Sequence, residues 1–416
     1  MRKILEIIPK ISDLNLKYDL HYYLDIFDNS YYFKSPETKI EILAIDSLYN
    51  FFSINNISEL KQILKFKFIN FNSNKLHRIP ILLGASAFSK NENCSSSFHK
   101  NNWFIPKYLI YRDFQSTKIV HFTFKSDDKI INKQNYNNLI NKLKTFSPKN
   151  NSNIAIKESK ITNLSQFEEY VKNIVTEIQN NSVSKVVSAI KNTYIVNELK
   201  PSIIMEKIQQ IQNTYIYALR KNNALFFGAS PENFLTYINN NLIIDSLAST
   251  AKLNSNYQSI LQSDKFRTEQ QIVSNFIHNI LKKYSENINI DETQKYKIMS
   301  DLVHLRTIFT TQVKNFEDIF SIIEDLFPTP AVCGFPKEKA YNIILQNEPF
   351  NRELYSGING YISFDSIELA VSIRCGLLEE NNLNIYAGAG FIKESDIKEE
   401  YNEILNKINT ITSILK

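Results

Sequence analysis

Near the C-terminal end the sequence runs Leu383-Asn384-Ile385-Tyr386-Ala387-Gly388-Ala389-Gly390-Phe391-Ile392, then Ser395-Asp396-Ile397-Lys398-Glu399-Glu400-Tyr401-Asn402-Glu403, and reaches Lys407. An apolar run, Leu383 to Tyr386, leads into small residues that read as a tight turn opening an amphipathic helix. Gly388 and Gly390 let the backbone bend and leave N–H groups bare, a seat for an anion. Ser395 or Asp396 can cap the helix. Beyond the cap, Ile397, Tyr401, Ile404, Ile408, Ile411 and Leu415 recur at helical spacing and predict a buried stripe. Glu400 and Glu403 are three residues apart and share a face, which Lys407 continues. Two carboxylates and an ammonium beside such a turn suit a metal ion that holds an acidic ligand. On a helix taken alone, the same residues make a solvated face with an i,i+4 Glu–Lys pair. Other segments of the chain weigh on that choice.

The bulk composition excludes several classes. With 416 residues the length suggests two or three domains, or one large α/β unit. Hydrophobic residues make up 43% and charged residues 22%, as in ordinary globular proteins. The net charge of +5 is small for this length and comes with no Lys/Arg stripe interleaved with aromatics, so nucleic acid is not expected as a partner. Cys94, Cys333 and Cys375 lack metal-ligand spacing and imply no disulfide framework. The run from Met1 to Pro9 carries charge and a proline and reads as neither a signal peptide nor a membrane span. A reduced, cytoplasmic setting is the expectation, with no membrane partner.

Residues 1–130 alternate short apolar runs with turn-formers, and Tyr31 to Phe33, Ile40 to Ile45 and Ile79 to Phe88 read as strands. The stretches 91–97, 132–138 and 147–153 read as loops, the last a possible boundary. Phe167, Tyr170, Val171, Ile174, Val175 and Ile178 mark a helix, followed by a strand at Lys185 to Ile190 and a second helix at Ile203 to Ile211. Strands at Tyr215 to Leu219, Ala224 to Phe227, Phe234 to Ile238 and Leu242 onward, joined by tight turns, predict a largely antiparallel sheet. The strand at Leu242 reads as running into a small-residue turn at Leu247-Ala248-Ser249-Thr250.

A long helix is expected over 263–283. Its apolar face includes Glu269, which is either partnered or reaches solvent at the helix end. His304 alternates with apolar neighbours in a strand at 301–307, and Phe327 to Pro336 holds three prolines and a glycine in a stiff loop. Helices at 316–326 and 337–345, then strands at 359–364 and 368–375, complete the pattern. Arg374 lies in an apolar setting and calls for a carboxylate partner, from a ligand or from the protein itself.

These residues carry a resemblance. Lys185-Val186-Val187, Gly228-Ala229-Ser230-Pro231-Glu232, Leu247-Ala248-Ser249-Thr250 and Glu269 occur in order. After them come His304-Leu305-Arg306-Thr307, Pro328-Thr329-Pro330-Ala331-Val332, and Arg352 ahead of Tyr355-Ser356-Gly357. Ile373-Arg374, Tyr386 to Gly390 and Glu400 to Glu403 with Lys407 complete the set, which spans residues 185–407. The chain resembles the chorismate-utilising enzymes, and within them the isochorismate synthases. Residues 165–416 carry the family motifs as a catalytic core. Residues 1–150 match more weakly, through Leu83 to Phe88 and the stretch around Trp103. The resemblance implies an α+β fold: one large domain of two stacked, mostly antiparallel β-sheets flanked by helices.

The resemblance also implies a chemistry. Water enters at ring position two of chorismate and the hydroxyl at position four leaves. Lys185 matches the family's base and Glu232 its acid. Glu269 and Glu403 match ligands of Mg2+, with Glu400 direct or through water. Arg374 and backbone N–H groups near Gly388 would grip the enolpyruvyl carboxylate. Thr250, His304, Ala331, Tyr386, Ala389, Gly390 and Lys407 would complete the substrate pocket. Three departures stand out: Ser249 where the family has glycine, Ile190 where it has arginine, and Cys333 where glycine is common. The ammonia-using members carry threonine where this chain has Ala331, so no glutamine amidotransferase subunit is expected. The alternatives are a salicylate synthase, a siderophore-pathway isochorismate synthase, or a chorismate-binding protein without catalysis. Menaquinone biosynthesis is the expected pathway, and a monomer or homodimer the expected assembly.

Overall fold

A computed structural model describes residues 6–51, 57–68, 79–89, 97–98, 101–148, 155–197, 199–254, 256–292, 296–299 and 302–416. Most of the expected loops at 91–97 and 147–153, and Cys94, lie outside the described residues. The first part of the chain forms β1 (Glu6–Asp13), β2 (Asn29–Lys34), β3 (Glu41–Asn50), β4 (Lys67–Phe68), β5 (Leu82–Ser86), β6 (Asn102–Arg112) and β7 (Thr117–Phe124). Helix α1 (Lys129–Thr145), strand β8 (Ile156–Lys160) and helix α2 (Leu164–Gln179) lead to β9 (Lys185–Val196) and α3 (Pro201–Ile208). Then come β10 (Tyr215–Lys221), β11 (Ala224–Ser230), β12 (Asn233–Ile238), β13 (Asn241–Lys252), α4 (Tyr257–Leu261) and α5 (Asp264–Leu281). The chain continues with β14 (Ile288–Asp291), β15 (Tyr296–Met299), β16 (Leu302–Gln312), α6 (Phe316–Leu326), β17 (Gly334–Phe335) and α7 (Lys337–Asn347). It ends with β18 (Ile358–Ile362), β19 (Ser366–Val371), β20 (Cys375–Glu379), β21 (Asn382–Phe391) and α8 (Ile397–Leu415).

Two limbs of sheet account for the layered α+β architecture expected from the sequence. In the first limb, neighbouring strands follow the order β3-β2-β10-β11-β20-β21-β9. In the second, the order is β5-β18-β19-β12-β13-β16. Strand β6 joins them. It pairs with β3 along one side, while its other side meets β5 at Asn102–Phe104 and β7 at Tyr108–Arg112. Among the described residues the two sheets are therefore one hydrogen-bonded network, antiparallel except for the β1–β4 pair. One core takes side chains from both limbs and from α5 and α6. A second lies under α1, α2, α3, α7 and α8 on the other face of the first limb. Among the described residues no helix is long and apolar enough to cross a membrane.

Local signals explain most helices. Asn163 and Gln166 form a reciprocal capping box at the start of α2. Asp396 caps α8 by accepting from the Glu399 N–H at 3.0 Å, and Ile404, Ile408, Ile411 and Leu415 are buried as their spacing predicts. Three expectations need correction. Residues 132–138 are not a loop but the middle of α1, where the Asp128 cap and the burial of Leu139 and Leu143 outweigh the weak helix propensity of asparagine. The segment 387–390 is not a turn: it continues β21 in register with β9, Gly388 opposite Ala189 and Gly390 opposite Val187. Its small residues permit close approach, because a Cβ on Gly390 would meet Glu269 Oε1 and Lys185 Cε, both at 2.6 Å. Likewise Leu247 to Thr250 stays within β13, with a bulge at Ser249 rather than a turn.

Strand 368–375 is interrupted. Strand β19 ends at Val371, the chain passes from the second limb to the first across Ser372–Arg374, and β20 begins at Cys375. Arg374 sits at φ 52°, a left-handed conformation that turns the backbone there. The chain makes the same passage in the opposite direction between β11 and β12, at Pro231-Glu232. The two crossings lie side by side: Ala229 N–H donates to Arg374 O at 3.0 Å and Val371 N–H to Glu232 O at 3.1 Å. Glu232 and Arg374 are thereby placed where the limbs meet.

Candidate active site

Around these crossings lies a cavity lined by Glu232, Thr250, Glu269, His304, Ala331, Arg374, Tyr386, Gly388, Gly390, Glu403 and Lys407, with Val187, Ser249, Val332 and Tyr355. The fold thus gathers eleven of the fourteen sequence-selected site residues at one wall. Lys185, Ala389 and Glu400 stand apart from it. Ala389 alternates away from Gly388 and Gly390 and packs into the helix-side core, so its side chain cannot touch a ligand in the cavity. Lys185 is 1% exposed and its side chain is not part of the lining, but its Nζ lies 2.9 Å from Oε1 of the lining residue Glu269. Glu400 faces an adjoining outer cleft, which it shares with Glu403, Lys265 and Lys407.

The electrostatics differ sharply between the carboxylates. Burial, and then the like charge of Asp245, push Glu232 up to about 8 against the pull of Lys185, Lys297 and Lys407. At neutral pH Glu232 therefore keeps its proton. For Glu269 burial acts in the same direction, but the ammonium of Lys185, Lys407 and the Ser249 hydroxyl together outweigh it and hold the carboxyl below its usual range. Glu269 Oε2 also accepts from Ser249 Oγ at 3.0 Å. Burial and the neighbouring Glu403 push Glu400 up to about 7, opposed by Lys265, whose Nζ is 2.7 Å away. Glu403 Oε1 pairs with Lys407 Nζ at 2.6 Å, and Lys407 also donates to Gly388 O at 2.8 Å.

His304 is neutral: burial, and then the adjacent Arg374, push its pKa well down. Its Nε2 lies 3.3 Å from Arg374 Nη2, and a guanidinium only donates. The ring proton is therefore assigned to Nδ1, which faces Thr250 Oγ1 at 3.1 Å. Thr250, His304 and Arg374 form one chain of contacts that orients the guanidinium. The glycines supply donors by a different route from the expected turn. Ala189 N–H donates to Glu348 and Val187 N–H to Cys333 O, so neither reaches toward β21. In an antiparallel ladder their partners Gly388 and Gly390 must then also turn their N–H groups away from β9. They emerge on the edge of β21 beyond Tyr386, where its pairing with β20 has ended, and both glycines line the cavity.

The donor set suits a hard divalent cation in part. Glu269 and Glu403 bring carboxylate oxygens to one cavity, which fits magnesium with waters and a substrate carboxylate completing its shell. Both carboxylates are engaged by lysines, and among the described residues no three His, Cys, Asp or Glu side chains are gathered closely enough to hold an ion. The third expected carboxylate, Glu400, is held outside by Lys265 and by Ser395 Oγ at 2.7 Å.

The Ser249 departure has a structural account. Ser249 sits at φ 58°, the region glycine enters freely, and its hydroxyl lies 2.9 Å from Phe266 O as well as 3.0 Å from Glu269. A side chain there costs about 1–2 kcal/mol of backbone strain, and a hydrogen bond to a carboxylate returns a similar amount. Ser249→Gly removes both effects and is expected to leave stability nearly unchanged. Ser249→Ala keeps the strain without the bond and should be less stable than the glycine variant by about 1 kcal/mol or more. Urea unfolding of the two decides it; equal midpoints would contradict the left-handed assignment.

Sequence reading assigned no role to several polar residues around the site. Arg306 braces Asp245, with Nε to Oδ2 at 3.1 Å and Nη2 to Oδ1 at 3.0 Å, and Lys297 lies 3.8 Å from the same carboxylate. Glu348 and Arg352 are both 2% exposed at the side chain and pair with each other. Only the second pair left a local trace, an i,i+4 Glu–Arg spacing.

Comparison with known proteins gives the family and the fold. The family described as chorismate binding enzyme matches residues 1–416. The isochorismate synthase MenF of Bacillus subtilis is 34% identical over 209 residues, covering 48% of this chain and 44% of that protein. The salicylate biosynthesis isochorismate synthase of Pseudomonas aeruginosa is 27% identical over 259 residues, 60% of this chain and 54% of that one. These matches take in about half the length of those relatives. The menaquinone-specific isochorismate synthase MenF of Escherichia coli superposes with a TM-score of 0.83 at 20% identity, covering 99% of this chain and 95% of that one. Anthranilate synthase component I of Streptococcus pneumoniae gives 0.72 at 16%, covering 97% and 92%. At such identities the superpositions speak for the fold. On the strength of the family match from residue 1 to 416, the chain belongs to the chorismate-binding enzyme family.

Proposed function

We propose that the chain is an isochorismate synthase, adding water at ring position two of chorismate and releasing the position-four hydroxyl while the double bonds shift between them. The observation that carries this reading is Glu232. It is a carboxyl 4% exposed, raised to about 8, at the wall of the cavity that also holds Arg374 and Lys407. A leaving hydroxyl needs a proton, and Glu232 holds one at neutral pH. Lys185 is the matching base. Arg374, oriented by His304 and Thr250, grips the enolpyruvyl carboxylate together with the Gly388 and Gly390 N–H groups. Glu269 and Glu403 would hold magnesium, which supplies positive charge against the ring carboxylate.

Water rather than ammonia is the nucleophile, because Ala331 at the cavity wall neither donates nor accepts a hydrogen bond. The enzyme needs no amidotransferase subunit and works as a monomer or homodimer. Matches to MenF proteins, one of them described as menaquinone-specific, support a role in supplying isochorismate for menaquinone. Buried free thiols at Cys333 and Cys375 accord with a reduced, cytoplasmic setting. Incubation with chorismate and magnesium, with and without ammonium, tests the reading by chromatography of products. Isochorismate is expected as the product, unchanged in yield by ammonium, and Ala331→Thr should lower it. Aminated product or stoichiometric pyruvate from the wild type would overturn the assignment.

A further inference from the structure

We propose that Arg352 and Glu348 are positioning residues that set the place of Lys185 and Ala331, acting as a substitute strand along the edge of β9; the proposal rests on the functional reading above. Strand β17 covers that edge only at Lys185 and Val186. The Val187 N–H donates to Cys333 O, just ahead of β17, and beyond it the backbone groups find side-chain partners. Arg352 Nη2 donates to Val187 O at 2.7 Å, and the Ala189 N–H donates to Glu348 Oε1 at 3.0 Å. The same guanidinium reaches the adjoining loop through Nη1, which donates to Val332 O at 2.8 Å. Arg352 Nε donates to Glu348 Oε2 at 2.7 Å, and Nη2 pairs with Oε1, so the fork is bidentate. Its plane rests on Phe88, 4.5 Å from the ring centroid.

The unit ties two cavity walls together. Val187 is two residues from Lys185 on the same face of β9, and Val332 follows Ala331 directly. A guanidinium holding both carbonyls fixes the distance between the base and the loop that selects the nucleophile. Loss of one hydrogen bond of the fork lets the two walls drift. Reactions of this kind are sensitive to such shifts, since a misplacement of about 1 Å costs on the order of 100-fold in rate.

The test uses the full chain with Arg352→Lys and Glu348→Gln. Lysine keeps the charge without the fork; glutamine keeps size and an acceptor for the Ala189 N–H, and it serves if the lysine variant does not fold. The expected result is a fall in kcat of about 100-fold, with KM for chorismate changed by less than about threefold. Amide hydrogen exchange should accelerate at Val187–Ala189 and 331–333 and stay unchanged in α8. Glu348→Asp, which keeps the charge, should restore part of kcat. Faster exchange with unaltered kcat would make the pair merely structural and overturn the proposal. Unaltered exchange overturns it however the wild type behaves. A wild type that makes no isochorismate overturns the functional reading instead.

Discussion

Glu232→Gln is expected to lose about 100- to 10,000-fold in turnover while gaining stability at alkaline pH. The two effects share one cause. A buried carboxyl raised to about 8 is a proton donor at pH 7 and a liability once it ionises. Its folded pKa lies above the ordinary 4.5, so its contribution to stability is fully present below pH 4.5 and is lost as pH rises through about 8. Glutamine carries no such loss. The difference in unfolding free energy should therefore grow between those limits, by at most about 1.4 kcal/mol per pH unit. Wild-type kcat/KM should hold at neutral pH and fall as pH passes about 8. Lys185 shows the converse. Its loss should also cost about 100- to 10,000-fold in rate, but Lys185→Ala also leaves the partly buried Glu269 charge without its partner and destabilises the fold. Lys185→Gln retains a donor to Glu269 and separates the two effects. Near-normal product formation by a folded Lys185 variant would remove the base from the scheme.

Chelation of divalent ions should abolish turnover, and magnesium should restore it. The motive is structural: α5 and α8, far apart in sequence, bring Glu269 and Glu403 to one cavity, where each is paired with a lysine. Magnesium should also raise the melting temperature of the wild type, since a ligand bound at 100 times its Kd adds about 2.7 kcal/mol. Glu403→Gln halves the charge offered to the ion and should shrink that shift and raise the magnesium concentration needed for activity. Glu400→Gln should change it less, because Lys265 and Ser395 hold that carboxylate in the outer cleft. A melting temperature indifferent to magnesium in both wild type and Glu403→Gln would rule out the carboxylate site.

Much of this protein was determined by sequence alone. Helix α8 follows from a cap at Asp396 and a stripe of isoleucines, both set by neighbours within a few turns. The antiparallel strands follow from apolar runs cut by Asn and Gly, and Glu269 follows from its place on an apolar helix face. The ordered motifs named the residues of the cavity because each is a short local string. Tertiary structure decided what these strings could not carry. It made Ala387 to Gly390 a strand edge rather than a turn, because β9 offered a ladder that outweighs glycine's freedom to bend. It put Ala389 into the opposite core, since strand alternation gives orientation only once the sheet's faces are known. It assembled Asp245 with Arg306 and Lys297, and Arg352 with Val187 and Val332, through contacts between segments distant along the chain. Above all it set the two chain crossings at Glu232 and Arg374 side by side. The proton donor and its cationic neighbours acquire their properties from that burial, which no stretch of sequence holds by itself.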